Sequence, residues 1–424
     1  MSRKKNAMAY GFTALLVIQL ACSSLSPSAD VPTEVTVPLG PQASDTEQQT
    51  KVLESILSQI DANYIYAENS SVDLKALRTT YQSEIDKGLT SSEFNELMNR
   101  FAAEFPAGDI VYATREERIK NDTAASLVGY GGIGAFVNFQ AKDKPHVVIL
   151  DVIPGSPAEK AGLKAHDSIY AIDGDPVLLE EGADVVLRIR GEAGTKVILT
   201  VQTPGKNERN VEVTRAPITG SRGVIAEVLP NTDVGYIRFP TAGNTVSNAS
   251  EVLDALDTFS TNSNLKGIIL DLRISGANSN FPLEDMLTLF VNDLNIDVYS
   301  LAESNSYPIE GQDVSGSQTV PLAVLVGENT NGTAEIFAAA IKEKGRGVVI
   351  GANSAGGIEA LNSFALPNGG QILIASASFR VGENESLGID GVIPEVRVEA
   401  KWDEIIASED PVIQQAIQSF EVQE

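Results

Sequence analysis

The sequence predicts a multidomain protein of mixed α+β and α/β class. Residues 49–120 place apolar side chains at helical spacing, residues 124–218 combine glycine-rich turns with short alternating strands, and residues 219–424 alternate apolar strands with helical segments. About 375 residues follow the N-terminal segments described next, which is enough for two or three domains with their own cores.

The first residues resemble a secretory signal. Arg3, Lys4 and Lys5 precede a short apolar stretch, and small residues surround Cys22. We therefore expect residues 1–22 to be a signal peptide. The position of Cys22 resembles that of the lipidated first residue of bacterial lipoproteins, although Gln19 stands where that signal prefers leucine; an ordinary cleaved signal or an uncleaved anchor are the alternatives.

Residues 23–48 are rich in Ser, Pro, Thr and acidic residues and lack periodicity, which predicts a flexible tether. The resemblance to a lipoprotein signal implies a chain in the bacterial cell envelope, outside the cytoplasm and anchored by lipid to a membrane. Cys22 is the single cysteine of the sequence, so no internal disulfide is expected.

Composition excludes several function classes. The formal net charge is −26 and the pI is near 4.4, which argues against nucleic-acid partners because no basic cluster is available to neutralise phosphates. The chain has only two histidines, His146 and His166, and we expect both at the surface. A histidine-based metal site and a Ser-His-Asp triad in the C-terminal domain are therefore not predicted. We expect no metal and no cofactor.

The N-terminal region, residues 49–120, is predicted to form two or three packed helices. One helix is indicated by apolar residues at i, i+4, i+8 and i+12, namely Val52, Ile56, Ile60 and Tyr64. Another is indicated by a second apolar series, Phe94, Leu97, Phe101 and Phe105.

Residues 124–218 resemble a PDZ domain. A glycine-rich loop at residues 130–137 leads into a strand, and a turn with a short helix at 154–163, the strand at 167–174, a helix near 183–189 and the strand at 196–202 follow in the order of PDZ domains. The resemblance implies that an extended peptide adds to the strand while loop amides hold its terminal carboxylate. The residues implicated are Gly132, Ile133, Gly134, Phe136 and Arg190. A plain glycine turn before a strand, and an ordinary exposed arginine, are the alternatives.

In the C-terminal domain, residues 219–424, five strands and three helices are predicted. The strands are expected at 234–239, 267–272, 323–326, 348–350 and 371–375, and the helices at 249–259, 283–292 and 334–344. Their alternation indicates an α/β core with substantial parallel pairing. Residues 321–357 form one strand–helix–strand unit, whose first turn is where such units place chemistry.

The same segment resembles the catalytic core of the carboxyl-terminal processing, or tail-specific, serine peptidases, whose core is an α/β sandwich. In that family the turn carries a Ser-Ala-Ser-Ala-Ser-Glu motif with the nucleophile in its middle, followed by a lysine base and a glutamine. Without a gap, the three positions fall on Gly332, Gly357 and Leu361. Glycine supplies neither the hydroxyl nor the amine of a serine–lysine dyad.

Three residues near this turn carry hydroxyls that could serve as a displaced nucleophile, and this alternative stays open: Thr330, Thr333 and Ser354. We expect Thr333 to cap the N-terminus of the following helix, with Lys342 and Lys344 at its C-terminus. The family also has a Pro-Gly-Gly turn that contributes to an oxyanion hole, and here residues 271–278 keep Asp-Leu-Arg but lack that turn. Residues 388–394 resemble the closing motif of the family.

Two functions follow as expectations. The first is a non-catalytic envelope lipoprotein that binds the C-terminal tails of extracytoplasmic proteins through its PDZ-like domain. The second is an active serine-type endopeptidase with a displaced hydroxyl, Thr333 first, or one completed by a partner chain. A structural surface protein with an empty groove is a third possibility.

Overall fold

The computed structural model describes residues 45–67, 72–106, 108–118, 130–141, 144–218, 220–242, 245–276, 280–382 and 391–421. The predicted signal peptide, Cys22 and nearly all of the predicted tether lie outside these residues. Within the described ranges, no helix has the length and apolar character that a membrane crossing requires.

The α-helices of the described residues are α1 (Thr46–Asn63), α2 (Leu74–Ile85), α3 (Ser91–Ala102), α4 (Pro157–Lys160), α5 (Val186–Ile189), α6 (Thr245–Ser260), α7 (Leu283–Phe290), α8 (Thr333–Glu343) and α9 (Pro411–Glu421). Short 3-10 turns occur at Leu179–Val185, Trp402–Glu404 and Ala407–Glu409.

The strands are β1 (Ile110–Ala113), β2 (Tyr130–Gly131), β3 (Ala135–Gln140), β4 (His146–Val152), β5 (Ser168–Ile172), β6 (Asp175–Pro176), β7 (Gly191–Glu192), β8 (Lys196–Gln202), β9 (Arg209–Thr214), β10 (Ile225–Val228), β11 (Val234–Arg238), β12 (Gly267–Asp271), β13 (Leu294–Ser300), β14 (Ser304–Ile309), β15 (Leu322–Val326), β16 (Val348–Gly351), β17 (Ala360–Ala365), β18 (Gln371–Val381) and β19 (Val396–Arg397).

The chain divides into two compact units. Among the described residues, the first comprises those within 45–118, 300–302 and 359–378, and the second comprises those within 130–299, 303–358 and 379–421. The predicted boundaries at 49–120, 124–218 and 219–424 remain predictions.

In the first unit, the apolar faces of α1, α2 and α3 pack together, as the helical spacing predicts. The capping box at the start of α3 shows why the helix begins there: the Thr90 hydroxyl accepts from the Glu93 N–H, and the Glu93 carboxylate accepts from the Thr90 N–H. Strands β17 and β1 pair antiparallel with β18, and Ile110 of β1 and Ile372 and Ile374 of β18 belong to the same core.

In the second unit, the PDZ-like segment forms a sheet of order β3-β4-β5-β8-β9, with β6 paired to β5. Strand β3 is at one edge of this sheet, so one side of its backbone is not paired within the sheet. Of the helix predicted near 183–189, residues 186–189 form α5, while the residues before them belong to the 3-10 turn Leu179–Val185, in which Gly182 has non-helical dihedral angles (φ 52°, ψ −140°).

The C-terminal part of the second unit is built on a sheet of order β10-β11-β12-β15-β16-β19. Every neighbouring pair from β11 to β19 is parallel, as predicted, and only β10 runs antiparallel. Helices α6, α7 and α8 pack in the largest apolar cluster, while α9 packs in a separate cluster with Val234, Ile269 and Leu325. Helices therefore cover both faces of the parallel strands, and the carboxyl ends of those strands meet at one edge.

Candidate functional site

The turn between β15 and α8 is a tight elbow at the carboxyl edge of the parallel sheet. Gly332 is the residue before α8 and has φ 66° and ψ −128°, a conformation that L side chains rarely adopt. A Cβ built on Gly332 has no heavy atom within 4 Å. A side chain at this position would therefore meet backbone strain but no steric obstacle.

Three loops at this edge are joined by hydrogen bonds. The Asn331 N–H donates to the Ser275 carbonyl on the loop after β12 (3.1 Å), and the Ala355 N–H on the loop after β16 donates to the Thr330 carbonyl (3.0 Å). The Asn331 side-chain amide also donates to the Gly356 carbonyl (3.3 Å). The elbow is thus held from both sides by backbone groups.

Glu335 is the buried centre of this arrangement. Its carboxylate accepts from the Gly332 N–H (2.9 Å), from the Gly356 N–H (2.8 Å) and from the Ser354 hydroxyl (2.5 Å). Glu335 has 0% exposure, so these donors replace the water that a carboxylate requires. Glu335 follows Gly332 by three residues, which is the spacing of a capping box. The pattern is hard to recognise in the sequence because the N-cap residue is glycine and not serine or threonine.

Two of the three candidate hydroxyls are engaged in structural hydrogen bonds. The Thr330 hydroxyl is fully buried; it donates to the Leu272 carbonyl (2.8 Å) and accepts from the Gly327 N–H (3.0 Å). The Ser354 hydroxyl, bound to Glu335, also accepts from the Val392 N–H (2.7 Å).

Thr333 is half-buried and is the first residue of α8. Its predicted role as the N-cap is wrong, because the chain turns at Gly332 and the Glu335 carboxylate supplies the cap. Lys342 and Lys344 lie at the other end of the helix, as predicted. Their amines donate to the Ile393 carbonyl (2.8 Å) and the Asp293 carbonyl (2.6 Å), respectively.

The remaining two family positions lie on the loop after β16 and on the strand that follows. Gly357 is exposed, has φ 77°, and has no heavy atom within 4 Å of a built Cβ. Leu361 belongs to β17 in the first unit, where it packs partly buried against the apolar cluster of the N-terminal helices. Neither position carries a group that transfers protons.

The Asp-Leu-Arg run after β12 forms a buried ionic network. Asp271 accepts from Arg273 Nε (2.9 Å), Arg273 Nη2 (2.7 Å) and the Tyr236 hydroxyl (2.7 Å), and Arg273 also contacts Asp410 (2.8 Å). Burial favours the neutral acid, but the charge and hydrogen bonds of Arg273 outweigh it and hold the pKa of Asp271 below its usual value.

The predicted peptide-binding residues occupy the loop before β3 and its surroundings. The Gly132 N–H donates to the Ala216 carbonyl (2.9 Å), whereas neither Ile133 N–H nor Gly134 N–H has an acceptor among the described residues. Gly134 has φ 76°, and a Cβ there would lie 2.4 Å from the Ser156 Cβ. Phe136 packs instead in a cluster with Trp402 and Ile405 of the C-terminal part.

Arg190 is exposed and directly precedes β7, which pairs with β2 at the start of the same loop. A second arginine was missed by the sequence analysis. Arg215 is buried and donates to the carbonyls of Ile189 (2.8 Å), Lys196 (2.8 Å) and Arg188 (3.0 Å), which fixes the end of α5 beside Arg190.

The prediction that both histidines lie at the surface is wrong. His146 has 7% exposure and bonds the Asp403 carboxylate (2.8 Å), and His166 is half-buried with its Nδ1 2.6 Å from the Trp402 carbonyl. Both contacts join residues more than 230 positions apart in the chain, so no local sequence pattern predicts them.

Three segments of the chain match known family models. Residues 233–398 match peptidase family S41, residues 148–203 match a PDZ domain, and residues 46–103 match the C1 domain of tricorn protease. The S41 match includes the elbow, the Asp271–Arg273 run and the loop after β16.

Curated relatives are carboxyl-terminal processing enzymes. The chain is 26% identical over 378 residues to a chloroplastic C-terminal processing peptidase of Tetradesmus obliquus, covering 85% of this chain and 79% of that protein. It is 29% identical over 289 residues to a carboxy-terminal processing protease of Bacillus subtilis (67% of this chain, 59% of that protein) and 30% identical over 291 residues to one of Picosynechococcus (65% and 66%).

Solved structures share the fold. The photosystem II D1 C-terminal processing protease aligns with a TM-score of 0.57 at 20% identity, covering 87% of this chain and 96% of that one. A peptidase of Parabacteroides merdae aligns with a TM-score of 0.56 at 14% identity, covering 89% and 97%. With its S41 core, its PDZ domain and these relatives, the chain belongs to the PDZ-containing carboxyl-terminal processing peptidases of family S41.

Proposed function

We propose that this chain is a non-catalytic member of its family that binds the C-terminal tails of proteins through its PDZ domain. The observation that carries the proposal is Gly332 at the elbow between β15 and α8. Strand–turn–helix elbows present nucleophiles in other hydrolases because the sharp turn exposes one side chain above the sheet. In this chain the turn is retained, and the residue at its apex has no side chain.

The base is missing in the same way. The family lysine falls on Gly357, and the two nearest lysines along the chain, Lys342 and Lys344, are fixed by carbonyl acceptors at the far end of α8. A serine–lysine dyad needs an amine within hydrogen-bond reach of the hydroxyl. Open space around both glycines indicates that the two side chains are absent without any collapse of the scaffold.

An active peptidase with a displaced nucleophile is the alternative, and one observation favours Thr333 over the other hydroxyls. Thr330 and Ser354 are held by buried hydrogen bonds, while Thr333 is half-buried immediately after the elbow. Its Cα lies one residue beyond the apex, which turns its side chain by roughly 100° around the helix axis. Cleavage that depends on Thr333 would establish this alternative.

Two features of the PDZ domain support the proposal of tail binding. Strand β3 is an edge strand, so a peptide can add to its free side, and the N–H groups of Ile133 and Gly134 are the amides available for a terminal carboxylate. Ala135, Val137 and Phe139 lie on the PDZ-core side of β3 and are partly buried. We therefore expect tails with apolar side chains at alternate positions.

The position of Arg190 beside the β2–β7 pair favours a contribution of its charge to carboxylate binding. The partners implied are C-terminal tails of extracytoplasmic proteins. The lipid anchor at Cys22 and the location in the bacterial cell envelope belong to the proposal as well, and mass spectrometry of the N-terminal peptide from the native host would identify the acyl groups on Cys22.

Tail binding is tested by fluorescence anisotropy with labelled peptides that end in an apolar residue. The free-acid peptide should bind the full chain, and the same peptide with an amidated C-terminus should not. Arg190→Ala should weaken binding about fivefold, the effect of losing one exposed ion pair of about 1 kcal/mol, while Lys206→Ala, an exposed cation on the β8–β9 turn, should leave it unchanged. Equal affinity for the acid and the amide would contradict the proposal.

A further inference from the structure

A short segment of the C-terminal part packs directly on the PDZ domain. Trp402 begins the 3-10 turn Trp402–Glu404 and has 6% exposure. Its indole N–H donates to the Ile149 carbonyl of β4 (3.1 Å), and its ring packs with Val148 and Leu150 of the same strand. One indole thus contributes a hydrogen bond and apolar area to the contact between the two domains.

Both histidines of the chain contact this segment from the PDZ side. His166 stacks on the Trp402 ring (4.2 Å between ring centroids), and its Nδ1 bonds the Trp402 carbonyl (2.6 Å). His146, at the start of β4, bonds the Asp403 carboxylate through Nε2 (2.8 Å) and the Lys144 carbonyl through Nδ1 (2.7 Å). Two consecutive residues therefore receive the only two side chains whose ordinary titration falls between pH 5 and 8.

We infer that Trp402 and Asp403, with His166 and His146, form a pH-sensitive latch that fastens the PDZ domain to the S41 core. The inference stands on this interface alone and does not depend on the proposed tail binding. A second contact between the same domains joins Asp151 to Arg222 (3.1 Å) and Arg238 (3.3 Å). The guanidinium groups stay charged at all physiological pH values, so the histidine contacts are the part of the interface that responds.

The His146 half of the latch is strongest when the imidazole is protonated. Burial lowers the pKa of His146, but the Asp403 carboxylate and the Lys144 carbonyl outweigh burial and raise the pKa above 6.5. Lys401 opposes this rise, and Lys144, Glu328 and Glu404 line the cleft beside it. The contribution is therefore complete below pH 6.5 and is lost as the pH rises through the raised value.

The His166 half responds in the opposite direction. Burial lowers the pKa of His166; Arg273 and Arg238 oppose its protonation, while Asp410 and the Trp402 carbonyl favour it. This contribution is complete above pH 6.5 and is lost as the pH falls towards the lowered value. The two halves together make domain docking tightest near pH 6.5. Deprotonation of His146 weakens docking at higher pH, and protonation of His166 weakens it at lower pH.

Trp402 is the only tryptophan of the chain, so its fluorescence reports on the latch without labels. We would measure the emission maximum and acrylamide quenching of the full chain in a mild detergent from pH 5 to 8.5. Emission should be bluest and quenching weakest near pH 6.5, and each unit of pKa shift changes the docking equilibrium by about tenfold across its titration. Intensity is not used, because a protonated imidazole against the ring quenches it without any opening.

Single variants separate the two halves. His146→Gln and Asp403→Asn should both abolish the change in Trp402 emission and quenching above pH 6.5, and should leave the change below pH 6.5 in place. His166→Asn should abolish only the change below pH 6.5. Asparagine suits this position because His166 has φ 73°, a left-handed conformation that asparagine tolerates. Far-UV circular dichroism at each pH distinguishes opening of the latch from unfolding.

Three results would overturn the inference. The first is quenching that stays constant from pH 5 to 8.5 while the fold persists. The second is a pH response that neither histidine variant changes. The third is that His146→Gln and His166→Asn both abolish the response on the same side of pH 6.5, since the two imidazoles are assigned opposite effects.

Discussion

Removing the Glu335 carboxylate should destabilise the elbow more than any nearby surface change. Glu335→Ala leaves the Gly332 N–H, the Gly356 N–H and the Ser354 hydroxyl without their common acceptor in a buried site. Hydrogen bonds to a charged group contribute roughly 1.5–3 kcal/mol each. Taking the lower figure for all three, we expect the free energy of unfolding of the second unit to fall by about 4.5 kcal/mol.

Two further variants calibrate that value. Glu335→Gln keeps the shape and one acceptor oxygen, so about half the loss is expected, near 2 kcal/mol. Glu284→Ala removes an exposed carboxylate in the first turn of α7 and should cost about 0.5 kcal/mol, the size of a helix-dipole effect.

The assay is urea unfolding followed by circular dichroism, with hydrogen exchange of peptides covering residues 327–337 and 352–358. Exchange should accelerate in both peptides for Glu335→Ala, because one carboxylate joins them. A loss below 1 kcal/mol, or faster exchange in one peptide only, would refute the role assigned to Glu335.

Two other predictions concern the same edge of the sheet. Gly391→Ala should cost about 3 kcal/mol or more, because the new Cβ would lie 2.4 Å from the Ser354 hydroxyl at φ 62°, whereas Gly345→Ala at φ 56° has open space and should cost about 1 kcal/mol in thermal unfolding. Asp271→Asn should cost about 3 kcal/mol at pH 7, since it removes one of the two carboxylates facing the buried Arg273. Because the pKa of Asp271 is depressed, its contribution is complete above its ordinary value of 3.8 and is lost as the pH falls below it, so wild type and variant should converge in acid unfolding experiments.

The strands of the parallel sheet could be predicted closely from the sequence. Residues 267–272 and 323–326 are continuous apolar runs, and strands buried on both faces produce that pattern. The helices predicted at 249–259 and 334–344 correspond to α6 and α8, and only their ends differ from the structure. The order of motifs in the PDZ segment was sufficient to identify its class.

Other features depend on contacts that no local pattern contains. Residues 359–378 join the N-terminal helices through the pairing of β1 with β18, which links positions more than 250 residues apart. The burial of His146 depends on Asp403, and the cap of α8 comes from Glu335 because glycine has no side chain to supply one. For β18 and Asp403 the partner's position is set by tertiary packing, whereas Glu335 is a local partner whose capping role is hidden because the N-cap residue is a glycine.

The measurement that tests the central claim most directly is mass spectrometry of an unstructured protein with a free apolar C-terminus after overnight incubation with the full chain. Thr333→Ala and the double variant Gly332→Ser/Gly357→Lys would be incubated alongside. We predict that the substrate remains intact with the wild-type chain and with Thr333→Ala. Specific cleavage by the wild-type chain that disappears in Thr333→Ala would contradict the account and identify a working peptidase with a displaced nucleophile.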